Sequence, residues 1–421
     1  MFTMTFFCFV SFALVLAIFC SGSSAQPQPG DVFREYRWYN ESGDAGGALR
    51  VGGKHGESHP DRGWDHDYIN APVLLDYDFD LEHATKAEVV VEKILCHDGT
   101  RGLSIQINKN DWIEIPEAEK IPVPQWDYQH HTYPTVPVPL SHLKAGNGNE
   151  FRMRVDAEHP WKWPQNLING VHLRIYYDPS SKPHPTGRIT APESGETLGR
   201  SVELRSDAQS PNGTISQVDY IGHYEDVNFE GDGEYLQWHY HFFHARIMHH
   251  LGTAVTSPYS ITWDTSWVPD QNQPVKIAAR LIDETGMIYM TEAATDLKLA
   301  RPDLSVELCK PYNVPKQWVT RKGEKQENFD ITGDLSRAVA AQLVWVSWSP
   351  GYMNGIYING KKVFHNEGPK YKYYAHRVSL DDLSAFKGGA NTLSTGGGQK
   401  GVHGMEVNWP GIMVLIQYRS S

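Results

Sequence analysis

Residues 355–364 read GIYINGKKVF, and residues 378–393 read VSLDDLSAFKGGANTL. Short runs of β-branched and aromatic residues bounded by Gly, Asn and Asp are typical of β-strands joined by turns. Two earlier segments, SIQINKNDW at residues 104–112 and VPLSHLKAGNGNEF at residues 138–151, follow the same pattern in the same order. The sequence therefore indicates that one β unit occurs twice.

Three further pairs of segments extend this repeat. They are FDL (79–81) with FDI (329–331), AEVVVE (87–92) with AQLVWV (341–346), and GVHLRIYY (170–177) with GIMVLIQY (411–418). A Trp-Pro pair precedes the last segment of each copy, at residues 163–164 and 409–410. The pairs occur in order at a nearly constant offset, which chance explains poorly. Helical periodicity of any length is absent, so we predict an all-β protein in which two homologous units flank a third.

The C-terminal copy, roughly residues 305–418, resembles the galactose-binding-domain-like jelly roll found in sugar-binding domains of secreted glycosidases. The shared motifs are the strand and hairpin at residues 355–364 and a Leu-rich turn before the Gly-x-Asn strand start at residues 389–391. Residues 31–178 resemble the same family more loosely. The resemblance implies a jelly-roll fold for both copies, and it points to sugar binding.

The middle segment, residues 189–299, is similar to bacterial Ig-like modules. It shares with them Gly252-Thr253, a Pro-Tyr-Ser-x-x-Trp run at residues 258–263 and an Asp-x-x-Gly turn at residues 283–286. It departs from them in an added stretch, residues 222–248, which we call the insert. We therefore predict two jelly-roll β-sandwiches flanking an Ig-like β-sandwich. The predicted units are a signal peptide (1–25), a first jelly roll (26–180), the Ig-like sandwich (186–301) and a second jelly roll (302–421).

Composition and the N-terminus narrow the class of protein. The 421 residues carry a formal net charge of −12, and no run of Lys or Arg stands out, which disfavours nucleic-acid and anionic-membrane surfaces. An apolar stretch at residues 6–19 leads to the small residues Ser23-Ser24-Ala25, the pattern of a secretory signal peptide cut after Ala25. No other long apolar run follows. We expect a secreted protein without membrane insertion.

Secretion would expose the two remaining cysteines and the two glycosylation sequons to an oxidising compartment. Removal of the signal peptide leaves Cys96 and Cys309, for which a disulfide and two isolated buried thiols are equal expectations. Asn40-Glu-Ser and Asn212-Gly-Thr are acceptor sequons for N-glycosylation, provided that the source glycosylates.

The insert contains the densest cluster of His and aromatic residues. As one strand, EYLQWHYHF (234–242) places His239 and His241 on one face and Trp238 on the other. The two histidines, with His244, His249 or His250, form a candidate Zn or Cu site. A polar strand face lying on a neighbouring domain explains the same histidines. Trp238 is a separate candidate for glycan binding.

Three loops supply the remaining candidates. Around Trp64, the acidic residues Asp61, Asp65 and Asp67 form either a Ca²⁺ site or a loop braced by its own Asp side chains. The loops before the last strand of each copy contain Trp, His and Glu, a combination that could form a sugar platform. Alternatively, the Trp-Pro pair in each loop closes the open end of its sandwich. The candidate glycan-binding residues are Trp64, Glu158, His159, Trp161, Trp238, His403 and Glu406.

Catalytic signatures are mostly absent. No Gly-x-Ser-x-Gly elbow, P-loop or dinucleotide fingerprint occurs. Residues 125–133, QWDYQHHTY, contain the residue types of a Tyr and His lyase, but the preferred interpretation is an ordinary long loop between strands. The preferred function is a secreted carbohydrate-binding or cell-surface-associated protein. The alternatives are an enzyme that degrades polysaccharide or glycoprotein glycans in a cleft between domains, and a self-assembling subunit of an extracellular fibre or coat.

Overall fold

The computed structural model describes residues 26–41, 48–51, 68–71, 76–95, 101–155, 166–244, 246–397 and 404–420. Their regular structure is β-strand, with single turns of 3-10 helix at Gln125–Asp127, Leu140–His142, Thr320–Lys322, Leu335–Arg337 and Pro350–Tyr352. None of the helical turns in these ranges has the length or the apolar character needed to cross a bilayer. The all-β prediction is therefore confirmed.

The N-terminal sandwich consists of two sheets around one apolar core. Its strands are β1 (Val32–Tyr39), β2 (Leu49–Val51), β3 (Tyr68–Ala71), β4 (Ala84–Leu95), β5 (Ser104–Ile107), β6 (Ile113–Glu114), β7 (His130–Thr132), β8 (Thr135–Val138), β9 (Phe151–Arg154) and β10 (Asn166–Tyr177). One sheet has the order β1-β10-β4, with β7 and β8 both paired to β4, and the other has the order β3-β9-β5-β6. Alternate residues such as Val89, Val91, Leu173 and Ile175 point into the core, which the sequence alternation predicts.

The middle sandwich follows. Its strands are β11 (Thr186–Ala191), β12 (Thr197–Leu198), β13 (Ser201–Gln209), β14 (Ile215–Glu225), β15 (Leu236–His239), β16 (His241–Phe243), β17 (Arg246–Met248), β18 (Gly252–Ala254), β19 (Ser260–Asp264), β20 (Val275–Asp283), β21 (Met287–Met290) and β22 (Ala294–Leu299). The sheet β11-β13-β19 faces a sheet built around β14 and β20, while β16 and β17 form a separate hairpin. This is the predicted Ig-like β-sandwich.

The C-terminal sandwich has the strand order of the N-terminal one. Its strands are β23 (Leu304–Cys309), β24 (Lys325–Ile331), β25 (Ala338–Trp348), β26 (Ile356–Ile358), β27 (Lys361–Phe364), β28 (Tyr373–Leu380), β29 (Gly389–Thr395), β30 (Glu406–Val407) and β31 (Met413–Arg419). The sheets run β23-β31-β25-β28 and β24-β29-β26-β27. These orders match β1-β10-β4-β8 and β3-β9-β5-β6 strand for strand, so the two end units share one topology.

The two copies also share a hydrogen-bonded turn. In the first, Asn108 Nδ2 donates to Asn149 Oδ1 over 2.7 Å, and Asn149 Oδ1 accepts from the backbone N–H of Lys144. In the second, Asn359 Nδ2 donates to Asn391 Oδ1 over 2.7 Å, and Asn391 Oδ1 accepts from the backbone N–H of Lys387. The Asn residues quoted in the repeated segments thus hold the same turn in both sandwiches, because each satisfies otherwise unpaired backbone groups.

The N-terminal and middle sandwiches share one sheet. Strand β1 pairs with β10 along its whole length and also with β21 at Val32–Arg34, which joins the two units into a continuous 13-stranded sheet. A buried ion network lies where they meet: Arg280 donates to Glu35 over 2.8 Å and to Asp219 over 3.2 Å. Arg174 donates to the other oxygen of Glu35 over 2.7 Å. The sequence pattern did not predict this merged sheet.

The insert packs against all three sandwiches. Tyr240 and Phe242 join an apolar cluster with Phe33 and Tyr176 of the N-terminal sandwich. Val227 packs on β31 and β25 of the C-terminal sandwich in a second cluster. Phe243 contacts a third cluster, in which Ile94, Leu167 and Tyr373 bring β4, β10 and β28 together. The insert therefore lies at the junction of the three units.

Candidate functional site

A cleft of about 810 Å³ opens between the insert and the N-terminal sandwich. We call it the central cleft. Its lining includes Glu117, Lys120, Tyr133, Glu230, Asp232 and Trp238. Clefts at domain junctions that combine aromatic rings with a few converging polar groups are the usual location of ligand sites.

Three histidines surround Glu230 on one side of this cleft. His249 Nδ1 lies 3.0 Å from Glu230 Oε1, and His241 Nδ1 lies 3.8 Å from the same oxygen. His239 Nδ1 lies 3.3 Å from both carboxylate oxygens of Glu230. All four side chains are at least nine-tenths buried. We call this group the Glu230 cluster.

The charges of the Glu230 cluster shift the pKa of its members. Burial alone would raise the pKa of Glu230, but the facing His249 and His239 hold it well below its usual value. Burial alone would lower the pKa of His249, but Glu230 and Asp226 raise it to about 9. Asp232 shows the opposite balance, because burial and the charge of Glu230 raise its pKa to about 6. Shifts of this kind concentrate at functional sites.

A second hydrogen-bonded chain leads from the cleft into the N-terminal sandwich. Tyr133, directly after β7, has its hydroxyl 3.1 Å from His131 Nε2, which lies 3.1 Å from Glu92 Oε1. Burial raises the pKa of Glu92 to about 7 and lowers that of His131 to about 3. Below about pH 7 the proton therefore resides on Glu92 and His131 is neutral, with the Glu92 carboxyl and the Tyr133 hydroxyl both at its Nε2. The Tyr133 ring lies 4.8 Å from that of His241, so this chain adjoins the Glu230 cluster.

Close backbone packing fixes the insert against β7. Gly231 has a φ of +70°, and a Cβ at this position would lie 2.0 Å from the carbonyl oxygen of His131. Only glycine fits this conformation and this distance. On the other side, the Phe242 ring lies 4.0 Å from the Arg37 guanidinium carbon and 4.8 Å from the His172 ring. Together these contacts hold Glu230 and His241 at the cleft.

Strand pairing changes in the middle of the predicted His strand. Residues 234–242 do not form one strand, because β15 pairs with β14 whereas β16 turns to pair with β17. The break falls at Tyr240, whose ring packs 5.5 Å from the Arg280 guanidinium in the interface. His239 and His241 consequently approach Glu230 from different elements. The single strand is therefore wrong, but the predicted alternation of faces persists, because Trp238, Tyr240 and Phe242 meet in one apolar cluster.

The structure brings some of the predicted residues together and separates others. Trp238 lines the central cleft, with its ring 5.5 Å from that of His223. His244 is half-buried beside Phe243 and Glu92, outside the Glu230 cluster. Glu406 is buried in the C-terminal sandwich, 3.6 Å from Arg321. Residues 125–133 are not simply a loop, since His130–Thr132 form β7.

Several predicted residues lie outside the described ranges. They are Trp64, Asp61, Asp65, Asp67, Glu158, His159, Trp161, His403 and Cys96, together with the signal peptide at residues 1–25. The Ca²⁺ loop, the sugar platforms of the two loops and the disulfide therefore stay predictions. Cys309 is buried and bonds to no other cysteine within the described ranges.

The two sequons have different surroundings. Asn40 is buried and donates from Nδ2 to Asn169 Oδ1 over 3.0 Å. Asn212 is half-buried and donates to Asp283 Oδ2 over 3.0 Å and to the carbonyl of Pro183. A glycan on either nitrogen would replace these hydrogen bonds, and glycosylation stays a prediction.

Sequence reasoning did not select Glu230, Asp226, Glu92 or Tyr133 as members of one site. They come from three separate segments that only the tertiary fold brings together. The only sequence signals were the His-rich insert and the Tyr and His residues of the QWDYQHHTY stretch.

A second cleft, of about 610 Å³, lies beside β23 and is lined by Glu225, Asp270, Glu307 and Tyr418. Its central carboxylate is already saturated: Glu307 accepts from Thr332 and Gly333 backbone N–H groups and from the Tyr418 hydroxyl. Such a carboxylate serves structure more readily than ligand binding. The central cleft is therefore the stronger candidate site.

Residues 185–279 match the family model of a bacterial Ig domain. This match covers most of the middle sandwich and agrees with the sequence resemblance. No curated protein matches the chain.

Among solved structures, the complex of BuGH86 with neoagarooctaose is 12% identical, with a TM-score of 0.24, over 61% of this chain and 35% of that one. The β-porphyranase of glycoside hydrolase family 86 from Bacteroides plebeius is 15% identical, with a TM-score of 0.22, over 58% and 38%. A DUF4785 family protein from Legionella pneumophila is 11% identical, with a TM-score of 0.23, over 94% and 85%. The chain thus spans little more than a third of the first two, and similarity at this level supports no argument about function.

Proposed function

We propose that this is a secreted carbohydrate-binding protein that holds a glycan chain in the central cleft. The observation that carries the proposal is the combination of Trp238 and Tyr133 with Glu117, Glu230 and Asp232 in one cleft. An aromatic ring packs on the apolar face of a sugar, and carboxylates accept hydrogen bonds from its hydroxyl groups. Secretion rests on the N-terminal signal-peptide pattern.

Charge narrows the class of glycan. Within the part of the chain that the structure describes, the cleft lining contains five carboxylates and one Lys, Lys120, and Lys93 forms an ion pair with one of the five from behind the lining. The carboxylates are Glu117, Glu119, Glu230, Asp232 and Glu234. A negative cleft repels sulfated and uronic-acid chains, attracts protonated amino sugars and does not oppose the binding of neutral sugars. We therefore expect neutral or amino-sugar polysaccharides, rather than acidic ones, to be bound.

The test is retention of the purified protein on a panel of insoluble polysaccharides that includes neutral, amino-sugar and acidic members. We expect Trp238→Ala to abolish retention. Trp112→Ala is the matched control, because Trp112 packs under Arg154 in the N-terminal sandwich, away from the cleft lining. Lack of retention of the wild type on every member would refute the proposal, as would equal retention of the two variants.

One observation favours an enzyme as the second candidate. The Tyr133–His131–Glu92 chain places a hydroxyl at the cleft with a hydrogen-bonded imidazole behind it, the arrangement of a general acid or base. A glycan-degrading activity of this kind would release products from a polysaccharide. We expect Tyr133→Phe to abolish that release while retention on the polysaccharide persists. Retention without any released product from the wild type would leave binding as the whole function.

A further inference from the structure

We propose that Glu230, His241 and His249 form a binding site for a divalent transition-metal ion at the edge of the central cleft. Each residue offers one ligand atom, and these atoms all lie within 4.8 Å of one another. Two imidazoles and one carboxylate suit Zn²⁺ or Fe²⁺. The inference does not depend on glycan binding, because metal binding is measured with no sugar present.

His249 lies between two carboxylates. Its Nε2 lies 3.3 Å from Asp226 Oδ2, and its Nδ1 lies 3.0 Å from Glu230 Oε1. Both oxygens are acceptors, so without a metal ion the protonated ring donates to each of them. A metal ion that replaced the Nδ1 proton would bind this nitrogen together with Glu230 Oε1, while Nε2 kept its bond to Asp226.

His239 contacts Glu230 from a second direction. Its Nε2 lies 2.9 Å from the carbonyl oxygen of Tyr224 and 3.3 Å from that of Tyr235, and both are acceptors only. Its Nδ1 lies 3.3 Å from each oxygen of the Glu230 carboxylate. His239 therefore holds the carboxylate in position, while Glu230, His241 and His249 supply the three ligand atoms.

His241 supplies an independent indication. Its Nδ1 is buried and has no hydrogen-bond partner within the described residues, although it lies 3.8 Å from Glu230 Oε1. A buried imidazole nitrogen without a partner is costly, and metal coordination removes that cost. A separation of 3.8 Å leaves room for an ion bound to both atoms.

The charge of the surroundings fits a cation. Among the described residues, Glu230 forms ion pairs with histidines only, and Asp226 pairs with His249. The two buried carboxylates meet at His249, and a divalent ion that displaces its Nδ1 proton neutralises their charge. Asp226 fixes the ring orientation of His249, the usual role of a carboxylate behind a metal-bound histidine.

Metal binding to the full-length wild type is the first test. After treatment with a chelator and dialysis, the protein is titrated separately with Zn²⁺ and, without oxygen, with Fe²⁺. We expect one ion per chain, a rise in the thermal unfolding midpoint on addition of the bound metal, and visible absorption bands when Co²⁺ is substituted. Elemental analysis of protein purified without a chelator shows which of the two metals it contains. A wild type that binds neither ion overturns the proposal.

Variants locate the site. We expect His241→Ala to weaken binding at least tenfold, and Asp226→Asn to weaken it by about 10- to 100-fold. His184→Ala is the matched control, since His184 contacts Lys182 and Tyr289 and none of the three proposed ligands, and it should bind like the wild type. Equal affinity in wild type and His241→Ala overturns the proposal. If His241→Ala does not fold, Glu230→Gln, which keeps the side-chain shape, is tested instead. Loss of the visible Co²⁺ bands in this variant is the expected result, and unchanged bands overturn the proposal.

Discussion

Asn149 and Asn391 occupy the same place in the two end sandwiches, and both are fully buried. Each amide bonds to a backbone N–H and to two backbone carbonyls of its own turn. The Asn positions were readable from the repeated segments, because a turn that needs an internal hydrogen-bonding side chain constrains the residue type.

Replacing one of these amides should destabilise its sandwich. We expect Asn391→Ala to lower the free energy of unfolding by about 2 to 3 kcal/mol, since it leaves buried backbone groups unsatisfied. Asn149→Ala should cost a similar amount, and Gln326→Ala, an exposed site on β24, should cost little. Urea denaturation checks all three, and a loss near zero for Asn391→Ala would contradict the shared turn.

Glu327 makes stability depend on pH. Its buried Oε2 has no hydrogen-bond partner within the described residues, and burial raises its pKa well above the usual value. The folded state thus holds a proton that the unfolded chain releases above about pH 4.3. The stability tied to this proton is complete below that pH and declines as the pH rises towards the folded-state pKa.

Glu327→Gln removes this dependence while it keeps the shape of the side chain. We expect the variant to gain stability relative to the wild type steadily from about pH 4.3 upwards. Glu324→Gln, at an exposed position, should follow the wild type at every pH. Denaturation midpoints measured from pH 4 to 8 provide the check, and parallel curves for Glu327→Gln and the wild type would show that Glu327 is ionised in the folded state.

At the scale of elements, the insert is where sequence reasoning succeeded least. Its composition indicated a site, and the structure places it at the junction of the three sandwiches. The strand pattern could not show that β15 and β16 separate at Tyr240, because the buried contact of Tyr240 with Arg280 comes from residues 40 positions away. Nor could it show that Glu230 meets His249, since loop geometry sets that contact.

The fit of Gly231 against β7 provides a test of this element. We expect Gly231→Ala to lower stability and to abolish polysaccharide retention, because the new Cβ collides with the His131 carbonyl oxygen. Gly286→Ala is the matched control: Gly286 has a φ of +79° but open space around it, so it bears only the backbone cost of about 1 kcal/mol. Equal effects of the two substitutions on stability and retention would show that the insert does not depend on this contact.

At the scale of the whole molecule, the repeat predicted the three-sandwich architecture, and the duplicated strand order agrees with it. The merged sheet was not predictable, because β1 reads as an ordinary first strand whether or not its second edge is paired. Its pairing with β21 depends on the relative position of two units, which local sequence does not encode.

The shared interface should make the first two sandwiches unfold together. We expect Arg280→Met to lower the free energy of unfolding by about 3 to 5 kcal/mol, because Glu35 and Asp219 lose a buried partner. Arg200→Met, which breaks an exposed pair with Asp303, should cost less than about 1 kcal/mol. Calorimetry measures both the number of unfolding transitions and the loss of stability in each variant. Separate transitions for the two sandwiches in the wild type would contradict their unfolding as one unit.

Glycan binding in the central cleft is tested most directly by amide hydrogen exchange. The exchange rates are compared with and without an oligosaccharide cut from the polysaccharide that retains the protein. A glycan in the central cleft should slow exchange in residues 116–120, 132–135 and 230–240, which line it. Protection confined to residues 305–310 and 330–337, beside the second cleft, would contradict the central claim that the insert and the N-terminal sandwich form the binding site.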